Sequence, residues 1–294
     1  MRMLIIKNLG FWLVWAIVFP LSLGFGDAMP EDIAGKQTVL FPEGQLFYAP
    51  LASPKEPRSH VTWLRLNLPR ESFTIGSVGF GDSFGLVRWP GLGQADAWQL
   101  NISGAVLAQF NMDTNTNDLI NADYIIGFPL SYRNGSWSAR MRLFHQSSHL
   151  GDEFLLFPQS PELKQTRINL SFETVELLGA WECERFQFTA GPSCIVHTDT
   201  HLDRHSVQGG IDYVGRKPVY KTTMHLFTSV QCHAWQETDW HPDFNLKSGV
   251  NISSPYAEKR SIQIFCEYYS GNLPFGQFYK LQANYYGVGV NISF

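Results

Sequence analysis

The chain has 294 residues, which suits one large all-β domain or two ordinary ones once a leader is removed. Charged residues are only 16% and aromatics 14%, with a formal net charge of −4. This balance excludes nucleic acid as a partner, since no basic footprint exists, and it suits a β-protein with unusual surfaces.

The first segment has the layout of an export signal. Arg2 and Lys7 give a positive start, Leu9 to Phe25 is uncharged and mostly apolar, and Gly24, Gly26 and Ala28 offer small residues for cleavage. We expect a signal peptide over residues 1–28, with an uncleaved membrane anchor as the alternative. Residues 29–71 form an irregular stretch with prolines at 42, 50, 54, 57 and 69 and a short strand at His60–Leu68. This segment is expected to be a periplasmic arm or a plug.

From residue 72 the period becomes two. Trp98, Leu100, Ile102, Val106, Ala108 and Phe110 alternate with Gln99, Asn101, Ser103, Leu107, Gln109 and Asn111. Ile120, Ala122, Tyr124, Ile126 and Phe128 oppose Asn121, Asp123 and Gly127, and Leu226, Val230 and Cys232 oppose His225, Ser229 and Gln231. Phe244, Leu246 and Val250 repeat the pattern. Long strands with one apolar face suit a membrane barrel, apolar toward lipid and polar toward a wet lumen. A closed barrel also satisfies every backbone group, as lipid demands. The predicted fold is all-β: an antiparallel transmembrane up-and-down β-barrel over residues 72–294, of about 12 strands, with 10–14 allowed. The predicted spans are 73–80, 84–90, 97–112, 120–132, 136–148, 166–188, 193–198, 205–214, 219–234, 241–253, 259–270 and 281–294. Arg133–Gly135 and Thr189–Pro192 are read as periplasmic turns, and longer links as extracellular.

Tyr286, Val288, Val290, Ile292 and Phe294 alternate to the carboxyl end. This resembles the last strand of bacterial outer-membrane barrels, which the barrel-assembly machinery reads. It implies the cell outer membrane as location. Cys232 and Cys266 fall in register with aliphatic residues, while a Cys183–Cys194 disulfide stays open.

One strand carries candidate chemistry. Trp137, Ala139, Met141 and Leu143 form its apolar face, and the same parity continues to His145, Ser147 and His149. These polar residues lie where the strand leaves the hydrocarbon. The imidazole of His145 could activate the Ser147 hydroxyl, because residues i and i+2 share a face. The stretch resembles the His-x-Ser of outer-membrane phospholipases of the A type and lipid A deacylases. That resemblance implies cleavage of acyl esters in outer-leaflet phospholipid or lipopolysaccharide, with Ser147 as nucleophile and His145 as base.

The match has departures. The phospholipase pattern continues Asn-Gly after the serine, whereas Ser148, His149, Leu150 and Gly151 follow here. Those enzymes take a third group from the neighbouring strand. Parity with Ile168, Leu170 and Phe172 puts Asn169 and Glu173 on the lumen side, so Asp152 or Glu153 is left as the expected orienting group. The run from His145 to Glu153 also resembles the uncharacterised domain-of-unknown-function family 1207. Leu40-Phe41-Pro42, the stretch around Pro50–Pro57, Glu267-Tyr268-Tyr269 and Gly276-Gln277-Phe278-Tyr279 fit it too. It implies an exported, outer-membrane protein and supplies no activity.

Two metal readings accompany the site. His149, Asp152 and Glu153 could bind calcium through their carboxylates, although hard cations want six to eight oxygens. His197, Asp199, His201, Asp203 and His205 could hold a transition metal, or form a polar loop. Arg140, Arg142, Lys221 and Lys247 face inward and could set anion preference or pair with inward acids such as Asp123. The functions in view are a binding, structural or small-solute channel barrel, and alternatively the acyl hydrolase. A soluble lectin-like sandwich is the third class.

Overall fold

The computed structural model describes residues 37–93, 96–156, 167–215, 224–253 and 261–293. The expected leader, Lys221 and Phe294 lie outside these residues. The wall is built from β2 (Ser59–Asn67), β3 (Ser72–Pro90), β4 (Asp96–Asn111), β5 (Asp118–Asn134), β6 (Trp137–Leu150) and β7 (Leu170–Cys183), followed by β8 (Phe186–Thr198), β9 (His205–Val214), β10 (Met224–Trp235), β11 (Pro242–Ser253), β12 (Ser261–Asn272) and β13 (Gln282–Ser293). Each pairs antiparallel with its chain neighbour, and β13 pairs with β2, so twelve strands close a ring. The shortest has 9 residues and the longest 19, enough for a tilted strand to cross a bilayer.

Side-chain placement follows the alternation. Ile126, Met141, Leu143, Leu246 and Val288 are exposed around the outside, while Gln99, Asn101, Asn121 and Ser229 are sealed within. So continuous an apolar belt is foreign to a soluble monomer. Near the tight Asn134–Trp137 hairpin, which defines the turn end of the barrel, outward aromatics cluster. Trp137 and Trp181 lie 6.0 Å apart, Trp181 and Phe188 5.5 Å, and Phe186 and Tyr213 5.2 Å. Such girdles mark the interface of a membrane barrel.

Four details differ from the sequence reading. The predicted strands 73–80 and 84–90 are one strand, β3. The predicted 166–188 strand is cut by a turn at Glu184–Arg185 into β7 and part of β8. Thr189–Pro192 is no turn but lies within β8; the β7–β8 register skips Leu177 and Leu178 opposite Gly191–Pro192, because proline cannot donate to the ladder. The His60–Leu68 strand, placed in the arm, is wall strand β2.

The described part of the N-terminal segment, from residue 37, turns into the barrel. β1 (Val39–Leu40) pairs with Arg88 and Val87 on the β3 edge that β2 leaves free. Phe41, at φ 52°, then kinks the chain off the wall, its ring held outside 5.8 Å from Phe84. Residues 42–58 run up inside the barrel. Leu46 and Phe47 pack on inward Ala97, Leu178 and Ala180. The amide of Ala52 donates to Ser229 Oγ at 2.9 Å, and its carbonyl accepts from Asn245 at 2.7 Å. Glu56 binds Arg140 at 3.0 Å and meets Arg142 at 3.6 Å, and Glu176 completes the pairing at 2.8 and 3.1 Å. Lys55 pairs with Asp123, and Lys247 with Glu267 at 3.6 Å. The inward arginines are thus neutralised from the plug and the wall together.

Toward the opposite, loop end the interior turns apolar. Leu64, Leu66, Phe73, Ile75, Leu150, Leu273 and Phe278 form a core with Phe154 from the short helix α1 (Asp152–Leu156). Ile120, skipped in the β4–β5 register, joins them instead of facing lipid. The 273–281 loop is pinned over this core. Gly276 donates its amide to Asp123 Oδ2 at 3.0 Å, and the Gln277 amide nitrogen reaches the Ser148 carbonyl at 2.9 Å. A Cβ at Gly276 would sit 1.8 Å from Ser148 Oγ, so this approach requires glycine. Phe278 is 1% exposed, and Phe278→Ala should cost about 3–5 kcal/mol. A lowered urea midpoint for heat-modifiable migration in detergent checks this.

All four cysteines are free. Cys183 registers with Phe186 and Cys194 with Val175, so these two stand at different heights and the open disulfide is not formed.

Candidate active site on the lipid-facing wall

β6 presents its residues as the alternation requires. Ser138, Arg140, Arg142, Gln146 and Ser148 are buried inside, while Trp137, Met141, Leu143 and His149 are exposed. His145 and Ser147 share the outward parity. At about 3.3 Å per residue and a tilt of roughly 40°, His145 lies about 20 Å above Trp137 along the barrel axis. Such a height spans most of the apolar band.

The neighbouring strand completes the arrangement in a way the sequence reading inverted. Glu173 faces outward, directly across from His145 in the β6–β7 register. Its Oε1 accepts a hydrogen bond from His145 Nδ1 at 2.9 Å. The expectation failed because Leu170 and Phe172 were taken as lipid-facing. Leu170 is instead buried in an interior cluster with Ile195 and Leu202, against which Phe172 packs. Where the inside is dry, apolar parity no longer marks the outside.

Glu173 is shared. Its Oε2 accepts from His197 Nδ1 on β8 at 2.6 Å. A bulge between Glu173 and Thr174 in the β7–β8 register leaves Val196 unpaired and brings His197 opposite Glu173. Bulges re-aim side chains in this way. The three side chains are 38%, 36% and 68% exposed for His145, Glu173 and His197, a row across three strands rather than a buried network.

The bond at Nδ1 has a chemical consequence. A carboxylate accepts only, so each imidazole must carry its proton on Nδ1. The Nε2 lone pair of His145 is then available as a base. Ser147, two residues on, sits in register between Tyr124 and Ser171. Tyr124 also meets His149 edge-on, ring centroids 5.7 Å apart.

The remaining sequence candidates are dispersed. Asp152 and Glu153 start α1 and are exposed; the carboxylate that holds His145 is Glu173 rather than either of them. Asp199 is bound by Asn169 at 3.1 Å, and the Asp203 amide donates to Glu237 at 2.7 Å. His201 and His205 are exposed. Among the described residues no three His, Cys, Asp or Glu side chains converge as a metal site, neither at 149–153 nor at 197–205. Glu173 could have been found from sequence only by matching strand register.

Fold and wall chemistry define a class: a closed twelve-stranded outer-membrane-type barrel with a hydrogen-bonded His–Glu pair on its outer surface. Among solved structures, the chain is similar to outer membrane phospholipase A from Escherichia coli, at 14% identity over 82% of this chain and 93% of that one, with a TM-score of 0.52. The calcium-bound outer membrane phospholipase dimer of Salmonella typhi is similar at 13% identity, 80% and 90% coverage and a TM-score of 0.50. At such identity the likeness is one of fold. No curated protein matches the chain. The chain belongs to the family of proteins of unknown function DUF1207, whose model matches residues 29–294.

Proposed function

We propose that this protein is an outer-membrane acyl hydrolase acting on ester bonds of outer-leaflet lipid, phospholipid or lipopolysaccharide. The observation that carries the reading is the Nδ1–carboxylate bond of His145, which leaves Nε2 as the basic nitrogen on the strand face that Ser147 shares by parity. Nucleophile, base and orienting acid are the parts acyl transfer needs. The loop end then faces the cell exterior, the usual side for long connections. In this orientation His145 stands at outer headgroup depth, where ester carbonyls lie. The neighbours named as phospholipases share the barrel and lend the reading a context.

In this reading Ser147 Oγ attacks the ester carbonyl while its proton passes to His145 Nε2. Glu173 holds the resulting imidazolium. The tetrahedral intermediate collapses, the carbonyl–oxygen bond of the leaving alcohol breaks, and Nε2 returns the proton to that oxygen. Water then attacks the acyl-serine with the same base. Calcium is bound in the Salmonella typhi neighbour; among the described residues no third His, Cys, Asp or Glu converges with Asp152 and Glu153, and no step here uses the ion.

A second reading, a ligand-binding barrel, draws on a cavity of about 190 Å³ inside the loop end, lined by Phe144, Phe172, Trp235, Arg142, Gln208 and Gln231. A channel is less favoured, because residues 42–58 occupy the lumen. The outward residues Tyr286, Val288 and Ile292 of β13 keep the barrel-assembly machinery as an expected partner. The test is fatty-acid release from phospholipid and from lipopolysaccharide by refolded protein. Release lost in both Ser147→Ala and His145→Ala supports the hydrolase. No release by the unaltered protein, or equal release by the variants, rejects it.

A further inference from the structure

Glu173 spends both oxygens on imidazoles, and only one of these belongs to the proposed hydrolytic pair. An exposed glutamate held by a single hydrogen bond keeps its rotamer freedom. Held at Oε1 and Oε2 by two Nδ1–H donors, at 2.9 and 2.6 Å, the carboxylate is fixed between strands β6 and β8. The second donor exists because β8 carries an extra residue at this height. Val196 and His197 both face outward, while Ile195 stays inside at 5% exposure. Without the bulge His197 would not stand opposite Glu173. A local cost in strand pairing is thus maintained at the one height where the imidazole reaches the carboxylate.

We propose that His197 is a positioning residue: it orients Glu173, and through it holds His145 in the Nδ1–H tautomer that keeps Nε2 a base. The inference rests on the hydrolase reading for its catalytic consequence, though not for the tautomer itself. His197 touches neither Ser147 nor the reacting carbonyl. The groups facing His197 are Glu173 from β7 and, through it, His145 from β6; the nearest titratable side chain on β9 is His205, in register with Cys194. Asp199, two residues on and just past the end of β8, is engaged by Asn169.

Two variants separate positioning from structure. His197→Ala removes the donor. His197→Asn replaces Nδ1–H with an amide N–H at nearly the same place. With refolded protein and phospholipid micelles, His197→Ala should lower kcat by roughly 10- to 100-fold with KM little changed. His197→Asn should recover most of that loss. In parallel, 15N NMR of the imidazoles should show His145 as the Nδ1–H tautomer in the unaltered protein and the Asn variant, and as a mixture in the Ala variant. Unchanged kcat and tautomer in His197→Ala, or an Asn variant as impaired as Ala, overturns the proposal. If the unaltered protein releases no fatty acid, the hydrolase reading falls, and the NMR comparison still decides whether His197 positions the pair.

Discussion

Ser147→Ala should abolish fatty-acid release, by on the order of 10⁴-fold or more, without altering barrel migration on a gel. His145→Ala should lose as much, and the double variant no more than either alone, because nucleophile and base act as one unit. Glu173→Gln should lose roughly 10²- to 10⁴-fold. The glutamine amide can donate to Nδ1, which moves the imidazole proton to Nε2 and leaves no base facing Ser147. A serine-directed sulfonyl fluoride should label the unaltered protein at Ser147 and fail on His145→Ala. Labelling elsewhere, or release surviving in Ser147→Ala, would remove Ser147 from the chemistry.

Glu56→Ala should destabilise the folded barrel by about 3–5 kcal/mol, since it leaves two buried guanidinium groups sharing only Glu176. The urea midpoint of heat-modifiable migration measures this. The pH dependence has a definite sign. Burial opposes the charge on Glu56, but Arg140 and Arg142 outweigh it and hold the carboxyl at about 2 against an ordinary 4.5. A depressed folded value means the stabilisation is complete above 4.5 and is lost as pH falls from there through 2. The gap in midpoint between the unaltered protein and Glu56→Gln should therefore narrow within that window. A gap that stays constant down to pH 2 would show that the Glu56 charge does not hold the plug.

The outward chemistry of β6 was legible because its inner partners are charged or amide side chains for most of the strand. Arg140 and Arg142 against Met141 and Leu143 admit one reading only. The β7 face was not, because Leu170 and Phe172 fill a dry interior at the loop end, where hydrophobicity stops distinguishing inside from outside. The same ambiguity hid β2, whose Val61 and Trp63 face out while Leu64 and Leu66 pack inward. In β3, Gly79, Gly81 and Gly85 broke the apparent period, and close approach explains them: a Cβ at Gly85 would lie 2.7 Å from the Pro42 carbonyl of the plug. Twelve strands were expected and twelve form the wall, yet the agreement combines one strand split in two with another left in the arm. His197 entered as part of a loop cluster. Its partner depends on a one-residue bulge, which composition does not reveal.

The plug is tied at both ends to one edge of one strand, β1 below and β2 above it along β3. It enters and leaves the barrel interior beside that one strand, as a folded-in loop rather than a threaded cord. Nothing in the covalent path locks it there. Its residence is decided by ion pairs, hydrogen bonds and packing, so a solvent change that dissolves Glu56 from its arginines removes one of the ties that stopper the vessel while the staves stay joined.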